Sequence, residues 1–296
     1  MGKPEIVRPL SMIRIFFFLC IFLGIHSASE ANSPLSVFSK DREIISYGVF
    51  GKGEPSLVLI HGWNCNGRYW KFQIPYLSTR HRVIVLDLAG HGRSGMGRRE
   101  YTMESFGQDV LAVVRAVGPP RVILVGHSMG GSVAAEAARL MPERVEGIIG
   151  IDTLENVEAP MTITARDEML APLKADFPSG CRSFVQAMIS PNTDSEMAQW
   201  IMDDISSAPP WVAVNSITHY FNQYIDGSAA RVFDDLSIPV VVVRGDRWPV
   251  DYEANRRRMA FFDTITIRGA DHFLMLTRPE ECNHALKKAI KKIRAH

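Results

Sequence analysis

The chain is predicted to adopt an α/β fold, a mostly parallel doubly wound sheet interrupted by an inserted helical cap. Three observations predict it. Short runs of Val, Ile and Leu alternate with helical stretches, as in a parallel sheet covered on both faces. Most of these runs end in a motif built from Gly, His or Asp. The rhythm then stops over residues 155–235, where no β-branched run occurs and apolar residues fall at helical spacing.

Residues 44–50 read as the first strand, closed by the glycines of GKGEP. Residues 57–60 (LVLI) form the next and end at HGWN. Residues 82–86 (RVIVL) end at Asp87, and 122–125 (VILV) lead through GHSMGG into a helix over 132–141. Residues 145–151 (VEGIIGI) end at Asp152. Beyond the break, 240–243 (VVVV) precede RGD, and 265–267 precede GADHF. A final helix runs from Pro279 to the terminus, with Leu286, Ile290 and Ile293 on its inner face. Within the break, Met197, Trp200, Ile201 and Ile205 mark one helix, and Trp211, Val214, Thr218 and Phe221 another. Plain loops rarely exceed about 15 residues. Residues 155–235 are therefore assigned to a helical cap, with 36–154 and 236–296 as the core. Ligands of such sheets bind outside the carboxyl ends of the strands, where the polar motifs lie.

The 296 residues are 46% hydrophobic and 22% charged, with a net charge of +1. This balance gives no reason to expect a nucleic acid partner. Residues 1–31 differ from the rest: Lys3, Arg8 and Arg14 precede an apolar run over 15–25, and HSASEA follows. That order predicts a secretory signal peptide and an exported protein, periplasmic or secreted. Retained, the segment would tether the chain to a membrane; after cleavage no stable span is expected. Cys65, Cys181 and Cys282 remain, either as buried thiols or with one pair oxidised.

Gly126-His127-Ser128-Met129-Gly130 has the form G-x-S-x-G between a strand and a helix. A nucleophile on so sharp a turn needs small neighbours. The turn lifts the hydroxyl above the sheet, beside a helix N-terminus that favours developing negative charge. Serine needs a base. His272 in GADHF is the candidate, and His61, His91 and His127 read as structural. The backbone amides of Met129 and Trp63 are the expected oxyanion donors.

With HGW, DLAGHGRS, GHSMGG and GADHF in this order, the chain resembles the α/β-hydrolase fold superfamily from about Ser36 to the C-terminus. The resemblance implies a Ser–His–acid triad and neither cofactor nor metal. Serine at the nucleophile position argues against the relatives that use aspartate, the haloalkane dehalogenases and epoxide hydrolases. The acid departs from the family pattern. Its usual place, three residues beyond Gly245, holds Trp248. Asp246, two residues early, is placed first, because its loop is the usual source. Asp152, at the end of the preceding strand, is the alternative, and Asp251 comes third. The acid holds the tautomer and stabilises the imidazolium.

These features predict a serine hydrolase acting on a small ester, thioester or lactone. Met161, Met169, Met188, Met197, Met202, Trp200, Trp211 and Phe221 suit a pocket for an apolar acyl or aromatic substrate. C–C bond hydrolysis and perhydrolysis use the same triad on this fold and stay open. A ligand receptor with slow or absent turnover is the reading from a different class. The oligomeric state is not legible.

Overall fold

The structure is a computed structural model that describes residues 1–2 and 35–296. The expected export signal over 1–31 lies outside the described residues, apart from its first two.

Among the described residues, eight strands form one sheet. They are β1 (Leu35–Phe38), β2 (Ile44–Phe50), β3 (Ser56–Ile60), β4 (Val83–Leu86), β5 (Val122–His127), β6 (Val145–Ile151), β7 (Pro239–Arg244) and β8 (Phe261–Thr266). Their order is β1-β2-β4-β3-β5-β6-β7-β8. The pairs β1–β2 and β2–β4 are antiparallel, and the others are parallel. The central strands are buried along their whole length, which is why they read as unbroken apolar runs. The chain passes from β3 outward to β4 and returns on the other side of β3 to β5. This reversal opens a crevice at the carboxyl ends of β3 and β5.

Helices α1 (Gln73–Leu77), α2 (Met103–Val117) and α3 (Met129–Leu140) connect the first half. Helix α2 is capped by the Thr102 hydroxyl, which accepts from Ser105 N, and stops at the left-handed Gly118. Between β6 and β7 come α4 (Ile163–Ala175), α5 (Phe177–Gln186), α6 (Ser195–Ser206), α7 (Pro210–Asp226) and α8 (Ser228–Arg231). They lie across the strand ends. Trp63 Nε1 donates to Ala213 O at 2.8 Å, and Tyr101 N to Asn215 Oδ1 at 2.7 Å. Helices α9 (Tyr252–Arg258), α10 (Leu274–Thr277) and α11 (Pro279–Ile293) complete the fold, with Leu286, Ile290 and Ile293 of α11 buried.

Two elements start at least three residues earlier than in the sequence reading. Helix α3 starts at Met129 rather than at 132. Gly130 and Gly131 are helical residues whose missing side chains admit neighbours: a Cβ on Gly130 would lie 2.5 Å from Ile60 O, and one on Gly131 2.4 Å from Thr153 Cγ2. Strand β8 starts at Phe261 rather than at 265. It is an edge strand with one free flank, so polar residues interrupt its apolar pattern. Cys65, Cys181 and Cys282 are all buried free thiols. Burial pushes each thiol up, that of Cys181 to about 11, which keeps them protonated.

Candidate active site

Ser128 sits between the last residue of β5 and the first of α3, with φ 52° and ψ −124°. A non-glycine residue in this region is strained. The surrounding backbone imposes it. Ser128 N donates to Ile151 O at 3.1 Å, and Gly131 N to Ser128 O at 2.8 Å. A Cβ on Gly126 would lie 2.1 Å from Gly130 O, so only glycine lets the strand and helix close this tightly.

His272 follows β8 and opens onto the same cavity as Ser128. Its Nδ1 donates to Asp152 Oδ2 at 2.8 Å. The histidine is held from its backbone as well. His272 N donates to Met188 O at 3.3 Å, and His127 Nε2 donates to the His272 carbonyl at 2.9 Å. Asp271, which the sequence reading passed over, fixes the rest of the loop. Its carboxylate accepts from Ser190 N, Thr193 Oγ1, Phe273 N and Thr277 Oγ1 at 2.6–3.1 Å. Its place beside His272 in GADHF was the available signal.

The expectation that Asp246 would reach His272 is corrected. Asp246 Oδ1 accepts from Gly269 N at 2.9 Å. The physical reason lies one residue earlier. Gly245 presses against the β8 loop, where a Cβ would be 2.3 Å from Ala270 O, and its amide donates to Asp152 Oδ1 at 3.0 Å. The end of β7 thus offers a backbone N–H to the site, and its carboxylate turns to the loop beyond. Asp251 caps α9, accepting from Ala254 N at 2.9 Å. Trp248 is exposed at the cavity mouth.

Asp152 occupies the place next to Ser128. It directly follows β6, the neighbour of β5, and has φ 46°. Burial alone would raise its pKa. The hydrogen bond and charge of His272 and the Gly245 amide outweigh that and hold it below the ordinary 3.8. An ionised, 3% exposed carboxylate therefore faces Nδ1, and Nε2 is left free to take a proton.

The amides of Met129 and Trp63 donate to no group among the described residues. Met129 opens α3, where first-turn N–H groups have no intrahelical acceptor. Trp63 follows Gly62, whose Cβ would fall 3.1 Å from Ser128 Cβ, so this loop passes against the serine. His61, His91 and His127 are buried. His61 Nε2 accepts from Leu88 N at 2.9 Å, and His91 Nδ1 donates to Ala89 O at 2.9 Å. Burial lowers His61 to about 4, and His91 and His127 to about 3, so all three stay neutral.

The cavity has a volume of about 1020 Å³. Met161, Met169, Met188 and Phe221 line it as expected. Met197, Met202 and Trp200, all on α6, are partly buried against the hydrophobic core instead, and Trp211 is exposed. Among the described residues no cluster of three His, Cys, Asp or Glu side chains is arranged to hold a metal, and no helix is long and apolar enough to cross a membrane.

The chain is similar to known proteins over most of its length. It is 34% identical over 181 residues to the pimeloyl-[acyl-carrier protein] methyl ester esterase of Aeromonas hydrophila, covering 57% of this chain and 65% of that one. It is 42% identical over 101 residues to the enzyme of that name from Edwardsiella ictaluri, covering 34% and 37%. The chain thus spans less than two thirds of the length of these relatives. It is 24% identical over 264 residues to 3-oxoadipate enol-lactonase 2 of Acinetobacter baylyi, covering 84% and 93%. The fold matches a solved thermophilic esterase from Thermogutta terrifontis with a TM-score of 0.74 and 24% identity, over 88% of this chain and 99% of that one. The serine turn, the sheet order and a match to the alpha/beta hydrolase family across residues 57–285 agree: the chain belongs to the alpha/beta hydrolase family.

Proposed function

We propose that the protein is a serine hydrolase cleaving a small apolar carboxylic ester, thioester or lactone through an acyl-enzyme. The observation that carries this reading is the 2.8 Å bond between His272 Nδ1 and Asp152, on a histidine that shares its cavity with Ser128. His272 Nε2 removes the Ser128 proton as Oγ attacks the carbonyl carbon. Asp152 stabilises the imidazolium that forms. The Met129 and Trp63 amides hold the oxyanion, and α3 adds the positive end of its dipole. The imidazolium then protonates the leaving alcohol. Water, deprotonated by the same histidine, attacks the acyl-enzyme and releases the acid. The esterase and lactonase relatives support ester chemistry, and the mostly apolar cavity wall supports an apolar acyl or aromatic group. The reading includes export of the protein, on the strength of residues 1–31.

The test uses a fluorophosphonate probe with adduct mapping by mass spectrometry. Rapid labelling at Ser128, abolished by Ser128→Ala and by His272→Ala, is the expected result. A folded protein that does not label would instead be a receptor on the same fold.

A further inference from the structure

Besides Asp152, three more carboxylates line the cavity among the described residues, Glu155, Asp251 and Glu253, and Glu155 stands apart from the other two by its burial. Glu155 lies just past the end of β6, and its side chain is 15% exposed. Its backbone is pinned. Asp251 N and Asn255 Nδ2 donate to its carbonyl at 2.9 and 3.0 Å. Its carboxyl is not: Oε1 is enclosed and has no hydrogen-bond partner. Arg244 Nε, also without a hydrogen-bond partner, stands 4.0 Å from it, a loose ion pair too long for a hydrogen bond. A buried polar group left this way is costly and calls for an explanation.

Two phenols share the wall. Tyr220 and Tyr224 line the same cavity, and their hydroxyls meet at 3.4 Å. Other stretches of the wall are apolar, as at Phe184, Val185, Ile205 and Ile217, and no Lys or Arg lines the cavity among the described residues. A substrate carboxylate would therefore meet no cation there.

We propose that Glu155, with Tyr220 and Tyr224, forms a polar subsite that binds an uncharged hydrogen-bonding group of the substrate, a hydroxyl or an amide, and turns away a second carboxylate. The inference rests on the ester-cleaving reading and deepens it. A hydroxyl or amide both donates and accepts, so it satisfies Glu155 in either protonation state. A carboxylate only accepts. It is repelled when Glu155 is ionised, and when Glu155 is neutral it can accept hydrogen bonds but its buried charge meets no lining cation. Burial, and then the charge of Asp152, push Glu155 up to about 7, so both states are populated in neutral solution.

The test compares p-nitrophenyl esters whose acyl chains end in methyl, hydroxyl, amide or carboxylate, over a series of chain lengths. An alcohol-side series carries the same end groups. Wild type is expected to favour hydroxyl or amide over carboxylate by about tenfold or more in kcat/KM in one series, the size of one hydrogen bond to a buried partner. Glu155→Gln keeps the hydroxyl preference and narrows the bias against carboxylate. Glu155→Leu loses the hydroxyl preference. Identical ratios in all three proteins would overturn the subsite. The corresponding unreactive ketones, ranked by calorimetric Kd, give the same reading without turnover. A protein that ranks the ketones through Glu155 but cleaves no ester retains the subsite and loses the ester reading. One that cleaves esters with no Glu155-dependent ranking does the reverse.

Discussion

Asp152→Asn isolates the carboxylate that faces His272. Asp152 Oδ2 lies 2.8 Å from Nδ1, and the side chain is 3% exposed. When Ser128 attacks, His272 becomes a cation beside it. Two unit charges about 4 Å apart at an effective dielectric constant of about 20 attract by about 4 kcal/mol. Asparagine removes that attraction, and its amide can also favour the tautomer that carries the proton on Nε2, where the base must be empty. About 4 kcal/mol corresponds to about a thousandfold in rate. The expected result is a fall of that size in kcat for p-nitrophenyl butyrate with KM little changed, because the interaction matters only once the imidazolium forms. Fluorophosphonate labelling should slow in parallel. Asp246→Asn should remain close to wild type, since its contact is with Gly269 N and an asparagine oxygen can still accept that bond. The reasoning is refuted if Asp152→Asn keeps more than about a tenth of the activity, or if Asp246→Asn falls as far.

Three further outcomes are expected. Ser128→Gly should abolish labelling yet raise the unfolding free energy in urea by about 1 kcal/mol, because glycine adopts φ 52° without strain; a loss of stability would contradict the strained turn. Glu155 holds its proton to about 7 against an ordinary 4.5, through burial and Asp152 and against the charges of His272 and Arg244. Its folded pKa is raised, so folding takes up a proton between those values and stability falls as the pH rises through that window. Glu155→Gln should match wild type below pH about 4.5 and exceed it by about 2–3 kcal/mol above pH about 7, read by denaturant unfolding across pH. Asp109→Ala should cost about 3–5 kcal/mol, because it leaves the buried Arg98 guanidinium, which pairs with Asp109 at 2.6 Å, only the part-exposed Asp41, and orphans the Ser39 hydroxyl and the Ala89 amide; equilibrium unfolding measures it, and a cost under about 1 kcal/mol would place the ion pair among the weak surface ones.

Much of the fold was legible because its signals are local. The buried parallel strands wrote themselves as apolar runs, and Ser128 announced itself through glycines that only a tight turn requires. His272 was legible as the polar residue in a short glycine-containing loop after the last strand. Strand β1 was not, because an exposed edge strand of four residues has no buried face to pattern its sequence. Helix α2 also went unassigned, although Thr102 and Gly118 bound it with ordinary caps.

The sequence by itself determined the candidate nucleophile, the candidate base and the strands that carry them, since each depends on backbone geometry within a few residues. It could not choose between Asp152 and Asp246, which stand at equivalent strand ends. Tertiary structure decided that. The β7 end packs so tightly on the β8 loop at Gly245 and Ala270 that its backbone amide, rather than its carboxylate, enters the site, and the carboxylate that meets His272 comes from the end of the neighbouring strand. Glu155 was hidden for the same reason. A lone glutamate in a loop is unremarkable in sequence, and it becomes a buried acid with no hydrogen bond to Oε1 only where the helices inserted between β6 and β7, Arg244 and Asp152 converge around it.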